Sequence, residues 1–456
     1  MNEFPVIIIG GGIGGITTAA YLSQSGISFI LLEQNNTLGG RCSTRTINGN
    51  SYEIGALYVG GRVFDHLRNT FNVDCKTILI RGAIKIGNRF ICFPFGVRTV
   101  FDIIKCGVPF YSLVKFLSRT KILKSPSTFL NLSSIGEVID SLTDESRMRT
   151  FLFSLFGVSG VSPYRISSQS LAKNSIIGSY KGLNPEYLLG GNGDITSLLA
   201  KIAEKNGQII HNVKVNKILL KNGAVFGVQT ENEIYKSQIV VSNSGIRNTV
   251  LELTERSDWP ESFYSQICDL KSSLMVVNIF LTFSRKIELP IGVSIFLMPY
   301  NSVKEFELLE NGQFPEKSMF ILHVPSNLNR DNVNKNNDHR ATLQFYYPRG
   351  NVEKDVLKKQ VDKILNEGLD DLFYGLSKAI KEYYVYDPLL YKEKFGFFPY
   401  VFGVTPDLHS DRISIKTPIK NLYCVGDSVE PEGPCVPQAF ESGLRTAHDI
   451  LNQIES

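Results

Sequence analysis

Three glycines and one glutamate near the start of the chain have the types and the spacing of a dinucleotide-binding site. Gly10, Gly12 and Gly15 form the pattern G-x-G-x-x-G, and Glu33 follows Gly15 by 18 residues. In this pattern the first glycine allows a tight turn, the second lets the backbone approach a pyrophosphate, and the third lets a helix pack closely on a strand. An acidic residue at the later position hydrogen-bonds a ribose hydroxyl. These residues therefore predict the binding of a dinucleotide.

A strand, a helix and a second strand must hold these residues, and the surrounding sequence predicts all three. Residues 5–9 are a short apolar run typical of a buried strand, residues 13–25 have helical character, and residues 28–32 are a second apolar strand. The N-terminus of such a helix presents free N–H groups and the positive end of its dipole to phosphates. The alternative, a glycine-rich turn that binds nothing, does not require the complete strand–helix–strand unit.

Two further stretches carry residues suited to the same ligand. The turn L-G-G-R at 38–41 ends in an arginine whose guanidinium matches phosphate oxygens, although a turn with a solvated arginine would have the same sequence. Near the other end of the chain, residues 422–425 predict a buried strand and Gly426 and Asp427 a turn. Pro437 then lies at the start of a predicted helix, where proline is favoured.

The composition limits the classes of function. The chain has 456 residues, of which 43% are hydrophobic and 20% charged, and a net charge of +4 that is too small to indicate a nucleic-acid partner. Its seven cysteines stand singly without a C-x-x-C pair, so neither a disulfide framework nor a metal site is indicated and a reducing, cytoplasmic compartment fits. Residues 4–32 carry no charge, but their glycines and polar residues do not suit a spanning helix, and we expect none.

The motifs G-G-G-I-G-G, L-G-G-R and Y-E-I-G-A together resemble the flavin-containing amine oxidoreductase superfamily, which includes phytoene desaturases, protoporphyrinogen oxidases and monoamine oxidases. The resemblance implies FAD as the cofactor. It also implies an α/β fold, in which a Rossmann-type FAD-binding domain, a parallel sheet with helices, is interleaved with an α+β substrate domain. The expected FAD-binding parts are residues 1–71, 187–258 and 405–456. Residues 72–186 would be the helical part of the substrate domain and residues 259–404 its sheet part.

The same resemblance assigns roles to individual residues. The glycine motif would hold the ADP half of FAD, Arg41 would lie along the pyrophosphate, Val213 would contact the adenine through its backbone, and Asp427 would bind the ribityl chain. The helix that follows would point its N-terminus at the flavin. The full set of expected cofactor-binding residues is Gly10, Gly12, Ile13, Gly14, Gly15, Glu33, Gln34, Gly39, Gly40, Arg41, Gly55, Ala56, Val213, Asn243, Gly426, Asp427 and Val436.

We expect an FAD-dependent desaturase, dehydrogenase or oxidase that acts on an apolar, polyene-like or porphyrinogen-like molecule by hydride transfer. Only one dinucleotide fingerprint is visible, so oxygen, a quinone or another small molecule would accept the electrons. Amine oxidases of the family carry an aromatic residue and a lysine where Cys435 and Val276 stand here, which disfavours amines. The alternatives are a flavin amine oxidase, a flavin-free escort of prenylated proteins and a sugar mutase. Cys435 is either a redox-active thiol with a lowered pKa or a small residue that leaves room for substrate.

The stretch 90–124 is both apolar and basic. It contains Arg98, Lys105, Lys115, Arg119, Lys121 and Lys124 among Phe, Ile, Leu and Val. Such a pattern is typical of helices that bind a membrane surface peripherally, and also of ordinary core helices with solvated lysines. Two local features of the middle of the chain are also predicted: a single strand over residues 209–220 and a two-residue hairpin at Asn222 and Gly223.

Overall fold

The computed structural model describes residues 2–60, 62–120, 134–168, 185–284, 289–290, 292–299, 304–328, 339–405, 412–431 and 435–455. Its strands are β1 (Asn2–Glu3), β2 (Val6–Ile9), β3 (Phe29–Leu32), β4 (Thr44–Ile47), β5 (Asn50–Glu53), β6 (Thr77–Leu79), β7 (Arg81–Ile86), β8 (Arg89–Phe93), β9 (Glu186–Leu188), β10 (Gln208–Ile210), β11 (Val215–Lys221), β12 (Ala224–Thr230), β13 (Ile234–Lys236), β14 (Val240–Ser242), β15 (Met275–Phe283), β16 (Val293–Met298), β17 (Phe320–His323), β18 (His339–Tyr347), β19 (Ile380–Tyr386) and β20 (Leu422–Cys424). Its α-helices are α1 (Ile13–Gln24), α2 (Val63–Asn69), α3 (Val97–Lys105), α4 (Phe110–Thr120), α5 (Ile135–Leu142), α6 (Ser146–Gly157), α7 (Asp194–Ala203), α8 (Ile246–Leu251), α9 (Glu261–Asp269), α10 (Lys304–Glu310), α11 (Lys354–Lys363), α12 (Leu369–Leu372), α13 (Pro388–Phe395) and α14 (Cys435–Glu455).

A five-stranded parallel sheet in the order β10-β3-β2-β14-β20 is the centre of the nucleotide-binding half. The side chains of β2 alternate between its two faces. Val6 and Ile8 pack into a core shared with α1 and α14, whereas Ile7 and Ile9 pack into a core shared with β11 and β12. Because both faces are covered, these strands are continuously apolar in sequence. The predicted Rossmann-type parallel sheet is confirmed.

The helix α1 follows β2 as the glycine pattern predicts. It begins at Ile13 and ends at Gln24, close to the expected residues 13–25. Gly26 follows with φ +80°, a left-handed conformation that terminates helices and that glycine adopts without strain. Two glycines bring α1 and α14 together, since a Cβ on Gly443 would lie 2.5 Å from the carbonyl oxygen of Gly14.

A seven-stranded mixed sheet in the order β19-β15-β18-β17-β16-β7-β8 forms the other half. Its pairs are antiparallel except for β16 with β7. One face packs against side chains of α3, α4, α5 and α6, and the other packs against α11 and α12. Alternate residues of the long strands β15 and β18 pack into the second of these cores, whereas only Val276 and Tyr346 of these strands pack into the first.

The description of residues 72–186 as a helical part needs a correction. Helices α3 to α6 lie in this stretch, but so do β6, β7, β8 and β9, and residues 81–93 form two strands of the seven-stranded sheet. These strands are joined at Gly87, which has φ +57° and allows the tight turn. The basic stretch 90–124 accordingly begins as a strand and becomes helical at Val97, while Lys121 and Lys124 lie outside the described residues.

The prediction of a single strand over residues 209–220 is wrong. The structure divides it into β10 in the parallel sheet and β11 in a four-stranded sheet with β12, β13 and β1. Asn212 lies between the two strands with φ +58°, a left-handed conformation that asparagine tolerates better than most residues. The hairpin that follows is confirmed, because Asn222 and Gly223 both have positive φ and Lys221 pairs with Ala224 across the turn.

Candidate functional site

The turn from β2 into α1 exposes the backbone of the helix start. Gly10 has φ +89°, and its N–H donates to the carbonyl oxygen of Leu32 at 2.8 Å. A Cβ on Gly15 would lie 2.1 Å from the carbonyl oxygen of Gly10, so only glycine allows this close packing. Gly12 caps the helix without any side-chain hydrogen bond and no acidic residue lies in the first turn. The N–H donors at the start of α1 and the positive end of its dipole are therefore available to a phosphate.

The carboxylate of Glu33 is buried at the end of β3 and is held by backbone donors. Its Oε2 accepts the Gly11 N–H at 2.7 Å, and its Oε1 accepts the backbone N–H and the side-chain amide of Asn35, each at 2.9 Å. A carboxylate has about four acceptor sites, so one lone-pair direction remains for a ribose hydroxyl. The N–H of Val213 donates to the carbonyl oxygen of Glu33 at 2.9 Å, which brings these two predicted residues together. The side chain of Gln34 instead reaches the carbonyl oxygen of Gly396 at 3.3 Å.

The turn L-G-G-R packs directly on the glycine motif. Gly39 has φ +104° and donates its N–H to the carbonyl oxygen of Gly11 at 2.9 Å. On its other side, the carbonyl oxygen of Arg41 accepts the Ala56 N–H at 3.0 Å and would lie 2.1 Å from a Cβ on Gly55. The structure therefore unites three sequence motifs that were predicted separately.

Arg41 and Asp427 form an ion pair although they lie 386 residues apart in sequence. The Nη2 of Arg41 is 2.5 Å from Oδ1 of Asp427, and the Gly403 N–H donates to Oδ2 at 3.1 Å. Burial alone would raise the pKa of Asp427, but the Arg41 guanidinium and the Gly403 N–H more than offset it and hold that pKa below its usual range. The carboxylate is therefore ionised at neutral pH. Because about a third of the Arg41 side chain is exposed, the guanidinium also remains accessible to a ligand.

Asn243 and Gly426 bring the middle and the end of the chain to the start of α1. The Asn243 N–H donates to the carbonyl oxygen of Ile9 at 2.8 Å. A Cβ on Gly14 would lie 2.8 Å both from Oδ1 of Asn243 and from the backbone nitrogen of Gly426. The carboxyl ends of β2, β14 and β20 thus meet at one edge of the parallel sheet, which is where ligands of such sheets bind.

Cys435 and Val436 lie at the first described turn of α14. Val436 is buried in the core that α14 shares with α1. The Sγ of Cys435 contacts the carbonyl oxygen of Val401 at 3.3 Å, and burial, with a further contribution from Asp427, raises its pKa to about 12. Of the two alternatives for Cys435, this raised pKa disfavours a redox-active thiol with a lowered pKa, because desolvation of the thiolate dominates. Cys435 is a neutral thiol at pH 7.

Three positioning residues of this site were not predicted from the sequence. The hydroxyl of Ser442 accepts the Gly426 N–H at 2.9 Å, and Gly443 provides the close approach of α14 to α1. A glycine inside a helix lowers the stability of the helix by about 1 kcal/mol relative to alanine, so its presence there usually has a packing reason. The sequence therefore did contain a signal of close packing at Gly443. Gly403 gave no comparable signal, because its N–H reaches Asp427 only through the tertiary fold.

Taken together, these residues fit an elongated dinucleotide. Glu33 offers a hydroxyl acceptor, the uncapped start of α1 and Arg41 offer donors and positive charge, and Asp427 offers a second acceptor. A Cβ on Gly12 would lie 2.6 Å from the amide nitrogen of Asn243, so the close packing of these two residues in the groove at this sheet edge depends on the absence of a side chain. No other residue type at Gly12 leaves this backbone open to a phosphate.

Two family models match the sequence. One, described as an NAD(P)-binding Rossmann-like domain, matches residues 8–73. The other, described as flavin containing amine oxidoreductase, matches residues 112–451 and thus well over half of the chain. The two matched ranges contain the glycine motif and the Gly426–Asp427 turn respectively.

Two individual proteins and one solved structure are also similar to this chain, each at a sequence identity of 28% or lower. The sequence is 28% identical over 306 residues to an inactive all-trans-retinol 13,14-reductase of Danio rerio, a match that covers 55% of this chain and 50% of that protein, so the chain spans about half the length of this relative. It is 23% identical over 509 residues to a chloroplastic prolycopene isomerase of an Oncidium hybrid cultivar, covering 98% of this chain and 84% of that protein. An oxidoreductase structure from Methanosarcina mazei has a TM-score of 0.72 at 17% identity, covering 98% of this chain and all of that one, which shows the shared fold.

Proposed function

Because the chain belongs to the flavin-containing amine oxidoreductase family, we propose that it is an FAD-dependent oxidoreductase acting on an apolar, isoprenoid-like small molecule. Membership of this family implies that the cofactor is a flavin. The observation that supports FAD in particular is the convergence of Glu33, the start of α1 and the Arg41–Asp427 pair on one groove, since a mononucleotide would leave the adenosine-binding end without a role.

Each of these groups would hold a different part of the cofactor. Glu33 would accept a hydroxyl of the adenosine ribose, and the start of α1 with Arg41 would neutralise the pyrophosphate. Asp427, ionised beside Arg41, would accept a hydroxyl of the ribityl chain. Bound FAD supplies the hydride-accepting chemistry, and the protein's own contribution is binding, orientation and exclusion of water.

The substrate class is inferred from the residue types at two positions, Val276 and Cys435, the second of which lies near Asp427. Val276 is buried on β15 and its N–H donates to the carbonyl oxygen of Pro399 at 3.1 Å. Cys435, which contacts the nearby Val401, is neutral. Neither position offers the aromatic residue or the lysine of the amine oxidases. The similarity to proteins named for retinol and prolycopene supports an isoprenoid over a porphyrinogen.

The test begins with the purified protein and ends with a substrate screen. We expect a yellow protein that releases FAD on denaturation, which a flavin-free escort protein would not do. Under anaerobic conditions, polyenes, porphyrinogens and amines are each mixed with the oxidised and the photoreduced protein, and the flavin absorbance is followed. A polyene should change the flavin spectrum, and oxygen or a quinone should serve as the electron acceptor. Rapid release of peroxide with simple amines would contradict the proposed substrate class.

A matched pair of arginine variants links this activity to the site. Arg41→Ala removes the guanidinium that pairs with Asp427 and should lower the flavin content of the purified protein about tenfold or more. Arg256→Ala removes an arginine paired with Glu261 at 2.6 Å on the protein surface and should leave the flavin content unchanged. Equal flavin contents in the two variants would contradict the assignment of Arg41.

A further inference from the structure

Helices α3 and α4 present an unusual outer surface. Six large apolar side chains project into solvent from these consecutive helices, with exposed fractions between 41% and 76%; they are Val97, Phe101, Ile104, Phe110, Tyr111 and Val114. We call them the α3–α4 surface. Globular proteins expose single apolar side chains commonly, but six on two consecutive helices are typical of an interaction site.

The exposure of these residues is not a consequence of packing the helices on the core. The inner faces of the same helices already bury Ile103, Leu113 and Phe116 in the core beneath the seven-stranded sheet. The outer residues recur on each helix at a spacing of three or four, as a second apolar stripe does. A surface helix normally carries polar residues on that face. Within the part of the chain that the structure describes, the core therefore does not account for the second stripe.

The segment that carries this stripe has an excess of positive charge. Residues 89–119 contain one acidic side chain, Asp102, and five basic side chains, which are Arg89, Arg98, Lys105, Lys115 and Arg119. Half of the Arg98 side chain is exposed, and Lys105 is exposed at the end of α3. Lys115 pairs with the exposed Asp144 at 2.9 Å, a contact that contributes little in water. The local excess of positive charge complements an anionic partner.

We propose that the α3–α4 surface binds reversibly to an anionic lipid bilayer. Aromatic and aliphatic side chains flanked by lysine and arginine are the composition of helices that lie in the membrane interface, where the apolar face enters the acyl boundary and the cations meet lipid phosphates. None of the described helices is long and apolar enough to cross a bilayer, so contact would be peripheral.

The position of this surface also gives it a role for the substrate, and this step rests on the proposed function. The core beneath α3 and α4 extends without interruption to Leu274 and Val276 and contacts Val401, whose carbonyl oxygen contacts Cys435. One apolar core therefore connects the docked face to Val401 and, through its carbonyl oxygen, to Cys435. A lipid-soluble substrate would approach from the bilayer side.

Co-sedimentation with vesicles tests the proposal on the full-length protein. We expect the protein to pellet with vesicles of phosphatidylcholine mixed with phosphatidylglycerol, and less with phosphatidylcholine alone or at high salt. The variant F101S/F110S/Y111S should bind about tenfold more weakly to both kinds of vesicle. The variant R98Q/K105Q should lose about tenfold in binding to anionic vesicles only.

Matched controls come from other exposed residues. Tyr374 and Leu389 are 99% and 66% exposed, so Y374S/L389S should bind like the wild type, as should K358Q/K359Q on α11. Wild-type protein that stays in the supernatant with anionic vesicles, or a triple variant that pellets like the wild type, would overturn the proposal. So would self-association of the wild type that the triple variant abolishes, because the occupant would then be a second copy of this chain. A yellow protein that fails to pellet overturns only the docking, whereas a colourless protein that pellets overturns only the proposed function.

Discussion

The nucleotide-binding groove and the α3–α4 surface are built in contrasting ways. In the groove, the ligand would be held mainly by backbone N–H groups, and glycines allow the backbone segments to approach each other closely. A Cβ at Gly14 or Gly15 would lie within 3 Å of neighbouring backbone atoms. At the α3–α4 surface, side chains would make the proposed contact, and several of them touch little of the protein. A site made of backbone tolerates almost no substitution, whereas a surface made of side chains can change in steps. The following predictions test this contrast, from the largest expected effect to the smallest.

The largest effect is expected at Gly15. A Cβ there would lie 2.1 Å from the backbone oxygen of Gly10, which cannot move without displacing β2, so Gly15→Ala should lower the free energy of unfolding by about 3 kcal/mol or more. At Gly12 a Cβ would meet only the side-chain amide of Asn243, so Gly12→Val should fold but retain almost no flavin. Gly60→Ala, where nothing lies within 4 Å, is the control. Urea unfolding and flavin absorbance measure the two quantities, and normal flavin content in Gly12→Val would refute the placement of the pyrophosphate.

The second-largest effect is expected at Glu53, which lies between the nucleotide-binding half and the seven-stranded sheet. Its buried carboxyl accepts hydrogen bonds from Tyr187 at 3.0 Å and from the N–H of Asn192 at 3.2 Å, but burial dominates and raises its pKa to about 7. The folded protein keeps a proton that the unfolded chain releases above pH 4.5, so the free energy of unfolding should fall as the pH rises from 4.5 to 7. The loss attributable to this group is about 3 kcal/mol.

Glu53→Gln should remove this component of the pH dependence, because the amide has no proton to lose. Urea unfolding of wild type and variant between mildly acidic and mildly alkaline pH measures it. Glu316→Gln, at an exposed position, should leave the pH profile unchanged. Identical profiles for the wild type and Glu53→Gln would show that Glu53 is ionised throughout and that its hydrogen bonds outweigh its burial.

The same contrast between local and long-range structure explains what could be predicted from the sequence. The strand, helix and glycine turn around Gly10 follow from spacing within about 30 residues, and the structure reproduces them. The Arg41–Asp427 pair could not follow from such spacing, because 386 residues separate its members. Only the resemblance to the family predicted that these two residues bind the same cofactor.

One incorrect prediction and one disfavoured alternative have the same physical origin. Residues 209–220 alternate as one strand would, yet Asn212 turns the chain from one sheet into another. Cys435 stands at a helix start, yet the surrounding protein desolvates its thiol and raises its pKa to about 12. In both cases tertiary packing overrides a local preference, and packing of this kind is not encoded within a short window of sequence.

An intermediate effect is expected at Asp427. Asp427→Asn leaves the shape intact but removes the charge that faces Arg41, so the affinity for flavin should fall about tenfold. The lowered pKa of Asp427 stabilises the fold above the unfolded pKa of about 4, and this contribution disappears as the pH falls. The variant should therefore lose less stability on acidification than the wild type does. Flavin titration and acid unfolding measure the two effects, and a variant with unchanged flavin affinity would contradict the role of this carboxylate.

The smallest effect is expected at Cys435. Because its thiol is neutral, Cys435→Ala should change turnover and flavin content by no more than about twofold. Alkylation of the native protein should modify the exposed Cys268 before Cys435. A variant without activity, or preferential alkylation of Cys435, would instead identify this thiol as a redox group.

The most direct test of the central claim is the identity and amount of the cofactor in the purified wild-type protein. Denaturation, absorbance and mass spectrometry of the released compound give both in one experiment. A groove that extends from Glu33 to Asp427 predicts FAD at one molecule per chain. Release of FMN, of a nicotinamide dinucleotide or of no cofactor, from a protein that cannot be reconstituted with FAD, would contradict the account.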